Sequence, residues 1–295
     1  MKLVIAAKKT DSQSSLIDQI LIEANSNSND IADLGGETWD CKETSVSADA
    51  ATVLQEKLAN QIGDHPVEFA FVPDANRKKK LLISDMDSTI IGQECIDELA
   101  DFAGKKDEVS EITERAMRGE LDFDGALKTR VEMLKGLSTS VLEDCFNARI
   151  TLNEGARTVV KTMEANGARC VLVSGGFTFF TSRVQELAGF HHNRANTLII
   201  ENEEMTGEVG LPILGREAKL VALNEEAEIA GATAADALAM GDGANDLAMI
   251  EAAGMGLAYC AKPVVSAQAD VSIKGPSLIP ALFFQGYSEA EFVTD

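Results

Sequence analysis

Two short stretches place aspartates where phosphate chemistry needs them. Asp85-Met86-Asp87-Ser88-Thr89 follows the apolar run Leu81 to Ile83, and Gly241-Asp242-Gly243-Ala244-Asn245-Asp246 follows Leu238 to Met240. At a strand end of period two, Asp85 and Asp87 face the same side. Carboxylates that close persist together when a cation neutralises them, when one is protonated, or when both lie in solvent. A third stretch, Val173-Ser174-Gly175-Gly176, offers a hydroxyl and flexible backbone N–H groups that suit a phosphate. Lys219, within the helical pattern Glu217 to Leu223, can supply the fixed positive charge that phosphoryl transfer uses. Oxygen donors without His or Cys suit a hard cation such as Mg²⁺.

The elements around these stretches predict how they meet. From Leu81 onward, short apolar runs alternate with helical patterns. Each of Leu81 to Ile83, Val171 to Val173, Leu238 to Met240 and Leu257 to Tyr259 ends at a polar or Gly-rich turn, as parallel strands do in an α/β sheet. Ligands of open α/β sheets bind outside the carboxyl ends of the strands, so the three stretches predict one site. Residues 94 to 150 interrupt the alternation with helical patterning and no buried strand, and are read as an inserted helical cap. Residues 1 to 77 carry a different order: a strand at Leu3 to Ala6, a helix at Leu16 to Ala24, a polar loop at 25 to 30 and two short strands. A helix at Ala50 to Ile62, with Val53, Leu54, Leu58 and Ile62 on its apolar face, and a strand at Val67 to Val72 complete it. This βαββαβ plan is the ferredoxin-like one. The boundary falls at Pro73 to Lys80, where Arg77-Lys78-Lys79-Lys80 is read as a solvated linker into residues 78 to 295.

Composition narrows the function. The 295 residues hold 26 Lys plus Arg against 48 Asp plus Glu, a net charge of −22 that repels nucleic acids and anionic membranes. No apolar run is long enough to span a bilayer, and Leu3 to Ala7 is too short for a signal-peptide core, so a cytoplasmic location is expected. Cys41, Cys95, Cys145, Cys170 and Cys260 are widely spread without metal-ligand spacing and read as reduced thiols, most of them buried. His65, His191 and His192 are too few for a His-based metal cluster.

Asp85-Met86-Asp87-Ser88-Thr89 resembles the DxDxT signature of the haloacid dehalogenase (HAD) superfamily. Ser174, Lys219 and Gly241 to Asp246 fall where its second, third and fourth motifs fall. Within it, DMDSTIIGQE (85 to 94), VSGGF (173 to 177), and Gly241 to Asp246 followed by Cys260-Ala261-Lys262-Pro263 are similar to the phosphoserine phosphatases over roughly residues 78 to 275. Residues 1 to 75 resemble, in pattern only, the ACT-like domain that some bacterial members carry. The resemblance implies a Rossmann-like parallel sheet with a helical cap and a phosphoric monoester hydrolase acting on O-phospho-L-serine. It implies Asp85 as nucleophile and Asp87 as general acid and base. Mg²⁺ would sit on Asp85, Asp242 and the backbone carbonyl of Asp87. Ser174, Gly175 and Lys219 would hold the phosphoryl oxygens, with Asn245 orienting the substrate and Asp246 bracing Lys219 or the metal loop. Glu94 and Arg130 match the positions that take the ammonium and carboxylate of the amino acid, and Met117 and Phe123 those that close the cap.

Other readings stay open at this point. A related enzyme could act on phosphohomoserine, phosphothreonine or a small sugar phosphate; a regulatory aspartyl-phosphate switch would keep its phosphate on Asp85, and an amino-acid sensor would use residues 1 to 75. Oligomeric state is not set by these residues, and a homodimer is compatible with them.

Overall fold

The computed structural model describes residues 1–24, 30–118 and 120–294, apart from the side chain of Met117. The loop expected at 25 to 30 therefore lies, except for Asp30, outside the described residues.

The amino-terminal part runs β1 (Lys2–Lys8), α1 (Asp11–Glu23), β2 (Ile31–Asp33), β3 (Trp39–Ser45), α2 (Ala48–Ile62) and β4 (Val67–Val72). Its antiparallel sheet has the order β2-β3-β1-β4. Thr10 and Ser47 cap the two helices, each side chain accepting a backbone N–H three residues on. Strand β1 is buried on both faces. Leu3 and Ile5 pack under Ile17, Ile20, Leu54 and Leu58, while Val4 and Ala6 join Trp39, Cys41 and Val72 against Leu278 to Phe284 of the larger part. Val53, expected on the buried face of α2, is 73% exposed, because the apolar stripe is carried by Ala51, Leu54, Leu58 and Ile62.

The basic run is not a solvated linker. Arg77 Nη1 pairs with Glu43 at 2.6 Å, and its other nitrogens donate to the carbonyls of Phe283 and Phe284. Lys79 is buried and donates to the Ala235 carbonyl, while Lys78 reaches Glu291 and lies over the Tyr287 ring. Arg77 thus stitches the two parts together, Lys79 is buried within the larger one, and exposure is left mainly to Lys78 and Lys80.

The larger part starts with β5 (Leu81–Ser84) and four helices, α3 (Cys95–Phe102), α4 (Lys106–Met117), α5 (Phe123–Glu132) and α6 (Ser140–Arg149), at the place expected for the cap. There follow α7 (Ala156–Ala165), β6 (Arg169–Phe177), α8 (Thr178–Ala188), β7 (His192–Asn196), and a hairpin of β8 (Leu198–Glu201) and β9 (Glu204–Val209). The chain continues through α9 (Arg216–Ile229), β10 (Ala237–Gly241), α10 (Leu247–Ala252), β11 (Met255–Tyr259), α11 (Pro263–Ser266), β12 (Val271–Ile273) and α12 (Pro280–Phe284).

Six of these strands form a parallel sheet in the order β12-β11-β10-β5-β6-β7. Both faces are covered, which is why the strands read as continuous apolar runs. Leu81, Ile83, Val171, Val173, Ala237 and Ala239 meet α9 and α10, and Leu82, Leu172 and Leu238 meet the opposite layer with Val159, Val160 and Val184. The strand order reverses between β5 and β10, the topological switch point at which such sheets bind ligands. Strand β6 does not stop at Val173 as the sequence suggested. It runs on through Ser174-Gly175-Gly176 to Phe177 with a register shift, so the phosphate-like stretch is an irregular strand end ahead of α8. The β8–β9 hairpin was not anticipated; it supports the base of the cap, with the Gly136 N–H donating to the Met205 carbonyl.

Candidate active site

Asp85 and Asp242 leave β5 and β10 side by side at the switch point. One carboxylate oxygen from each of Asp85, Asp242 and Asp246 lies within 4.8 Å of the other two, and all three residues are buried. The fully buried Lys219, carried by α9, reaches Asp246 Oδ1 at 2.6 Å and Asp85 Oδ1 at 2.8 Å. The Met86 N–H donates to the same Asp85 oxygen at 2.8 Å. Asp246 Oδ2 accepts from the N–H groups of Asp242 and Gly243, so Asp246 braces both the lysine and the loop. That fold-back requires glycine at 241, where a Cβ would stand 2.4 Å from the Asp246 carboxyl carbon.

Three carboxylates against one ammonium leave unneutralised negative charge in a buried place. Burial and the charge of Asp246 push the Asp85 carboxyl up to about 7 despite Lys219, and burial with Asp246 and Asp85 pushes Asp242 well above the usual carboxylate range. Burial works against the Lys219 ammonium, but Asp246 and Asp85 outweigh it and hold its pKa above the ordinary value. Asp246 spends both oxygens within the protein. Among the described residues no hydrogen bond reaches Asp85 Oδ2, and the Asp242 carboxylate accepts only from the Thr89 hydroxyl, at 3.3 Å. Hard oxygen donors with lone pairs free and charge uncompensated fit a divalent metal ion.

Asp87 does not join this cluster through its side chain. Its Oδ1 accepts the Cys95 N–H at 2.9 Å and its Oδ2 the Ser174 hydroxyl at 3.3 Å, and burial raises its pKa. Ser174 Oγ in turn accepts the Gly176 N–H at 2.8 Å.

The cap closes over this floor. A cavity of about 60 Å³ is lined by Asp85, Asp87 and Ser174 below, and by Glu94, Phe123 and Arg130 above. Gly175 and Asn245 also line it. Phe123 begins α5 and lies against the strand end, where a Cβ on Gly175 would come 2.7 Å from its ring. Glu94, at the start of α3, accepts the Ser88 hydroxyl at 2.5 Å; burial and the charges of Asp87 and Asp242 raise its pKa well above normal. Arg130, 6% exposed, donates through Nε to the Ala126 carbonyl and through Nη1 to Thr113 Oγ1. Among the described residues it forms no ion pair. Burial lowers its pKa, against the pull of Glu94 and Asp97.

The structure thus brings Asp85, Asp87, Glu94, Phe123, Arg130, Ser174, Gly175 and Asn245 around one cavity, with Lys219 and Asp242 immediately beneath. Met117, named with them, lies at the end of α4 with its side chain outside the described residues. Sequence reasoning missed Ser88, Thr89, Asp97 and Thr113, the hydroxyls and acid that hold Glu94, Asp242 and Arg130 in place. Ser88 and Thr89 sat inside the first motif and could have been read; Asp97 and Thr113 gave no local signal.

A family profile described as haloacid dehalogenase-like hydrolase matches residues 82–251. The chain belongs to the haloacid dehalogenase-like hydrolase family. It is 46% identical over 204 residues to a phosphoserine phosphatase of Archaeoglobus fulgidus, covering 69% of this chain and 59% of that protein. The chain thus spans about three fifths of that relative's length. Among solved structures, a phospho-aspartyl intermediate analogue of phosphoserine phosphatase superposes with a TM-score of 0.67 at 39% identity, covering 70% of this chain and 98% of that one. A HAD family hydrolase of Salmonella enterica serovar Typhi superposes over both parts, with a TM-score of 0.81 at 29% identity, covering 96% and 98%. No helix among the described residues of this family member is long and apolar enough to cross a membrane.

Proposed function

We propose that the chain is a phosphoserine phosphatase, hydrolysing O-phospho-L-serine to L-serine and phosphate through an aspartyl-phosphate. The observation that carries this reading is that Asp85 and a buried Arg130, in no ion pair among the described residues, line the same small cavity. One end suits a phosphate and the other a carboxylate.

The Asp85 carboxylate attacks phosphorus in line, forming the Asp85–phosphorus bond as the bond to the serine oxygen breaks. Asp87, whose raised pKa favours its protonated form, gives that proton to the leaving alkoxide. It then takes a proton from water as the water oxygen bonds phosphorus and Asp85 leaves. Ser174, the Gly175 N–H and Lys219 hold the phosphoryl oxygens, and Asn245 orients the substrate. Arg130 binds the carboxylate with a two-pronged guanidinium and Glu94 the ammonium. Phe123, with Met117, closes the cap against water. Asp85, Asp242 and the backbone carbonyl of Asp87 would hold Mg²⁺, with Asp246 bracing the set. When bound, the ion screens the repulsion between the carboxylates and the phosphate. Residues 78 to 295 form the phosphatase domain and 1 to 77 an ACT-like domain, in an enzyme working in the cytoplasm on a small-molecule substrate.

The test is phosphate release with Mg²⁺ from O-phospho-L-serine beside phosphothreonine, phosphohomoserine and sugar phosphates. Turnover confined to phosphoserine and lost in EDTA is expected. Equal turnover of sugar phosphates would contradict the amino-acid assignment of Glu94 and Arg130.

A further inference from the structure

We propose that Thr113 is a positioning residue for amino-acid recognition, a hydroxyl spacer that aims the Arg130 guanidinium into the cavity while keeping Asp97 from pairing with it. This rests on the phosphoserine phosphatase reading above.

Arg130 is a buried cation whose charge is met by no direct carboxylate partner among the described residues. Leaving such a group unpaired is costly, so its surroundings must compensate without filling its donor face. Thr113, buried on α4, does this. Its oxygen accepts Arg130 Nη1–H at 3.0 Å and lies 2.7 Å from Asp97 Oδ1 and 3.0 Å from the Val109 carbonyl. A hydroxyl has one proton, and the nearer, charged acceptor is Asp97. Ser110 donates to the other Asp97 oxygen at 2.8 Å, so two hydroxyls of α4 tether that carboxylate.

A direct Asp97–Arg130 pair would occupy the guanidinium fork that a ligand carboxylate needs. The spacer leaves the negative charge of Asp97 close enough to stabilise Arg130 and one hydroxyl too far to saturate it. The Ala126 carbonyl on Nε and Thr113 on Nη1 fix the plane of the group from within the cap. The remaining edge faces the cavity that Thr113 itself lines. Without the hydroxyl, Nη1 loses its fixed point and Asp97 loses one tether.

The experiment compares full-length wild type, Thr113→Val, Thr113→Ser and Arg130→Ala on O-phospho-L-serine and on para-nitrophenyl phosphate, which has no carboxylate. Thr113→Val should raise KM for phosphoserine about tenfold, as loss of a hydrogen bond to a charged group predicts. Its kcat should fall less than its kcat/KM, and para-nitrophenyl phosphate, with no carboxylate for Arg130 to bind, should lose far less than phosphoserine does. Thr113→Ser should restore the wild-type KM. If Thr113→Val folds poorly, Thr113→Ala serves the same comparison. Unchanged phosphoserine KM in Thr113→Val while Arg130→Ala raises it would overturn the spacer role alone, as would an equal loss on both substrates. A wild type that turns over para-nitrophenyl phosphate but not phosphoserine would overturn the underlying reading and the spacer with it.

Discussion

At the sheet edge, Asp85, Asp242 and Asp246 crowd around one lysine, and most of their bonds come from within the motifs or from Lys219. In the cap wall, one acid and one cation stand apart: Glu94 is held by the Ser88 hydroxyl, and Arg130 by the Thr113 hydroxyl and the Ala126 carbonyl. The floor stores unbalanced negative charge, whereas the wall offers a nearly unsatisfied pair. Charge excess at a switch point serves a reaction common to many phosphoesters. In the proposed reaction, the separated acid and cation of the cap select what is esterified.

The comparison breaks most sharply at Asp85. Asp85→Asn keeps the shape and an oxygen for Lys219 but removes the proposed nucleophile. Phosphate release should fall by roughly 10⁴-fold or more for any substrate. Because the substitution also removes a crowded charge, the melting temperature should hold or rise. A fall in stability with activity retained would mean that the floor is a structural ion-pair cluster.

A smaller effect follows from the raised pKa values of the floor. Asp85 titrates near 7 in the folded protein without metal, far above its unfolded value of about 3.9, so the folded state binds the extra proton between those limits. Stability of the metal-free protein should therefore fall as pH rises from about 4 to 7. Asp87 and Asp242 are shifted the same way. Calorimetry in EDTA should show melting temperature dropping over this range, at about 2–4 °C for each kcal/mol lost. The gain on adding Mg²⁺ should grow in the same direction. A metal-free melting temperature that rises with pH would show these carboxylates to be favourably paired already.

The two regions also differ in how much of them was legible. The parallel sheet, the helical cap and the floor were readable because β5 and β10 are apolar runs whose chemistry begins at the next residue, Asp85 or Asp242. Glu94 and Arg130 entered only through resemblance, since no local pattern marks a charged residue on a helix as facing inward. Their supports were invisible: Thr113 and Arg130 are 17 residues apart on different helices, and Asp97 touches the site only through Thr113. Val53 and the basic run at Arg77 to Lys80 show the converse limit. Val53 faces solvent because Ala51, Leu54, Leu58 and Ile62 carry the buried stripe of α2, Arg77 is covered where the amino-terminal sheet docks on Leu278 to Phe284, and Lys79 is buried against the Ala235 carbonyl.

The division of labour between floor and wall is tested most directly by the ratio of kcat/KM for O-phospho-L-serine to that for para-nitrophenyl phosphate, measured for wild type and Arg130→Ala. The ratio should drop by about 10²-fold, as loss of a charge-assisted pair predicts, with the para-nitrophenyl phosphate value held within about twofold. An unchanged ratio, or equal losses on both substrates, would contradict a wall that selects and a floor that reacts.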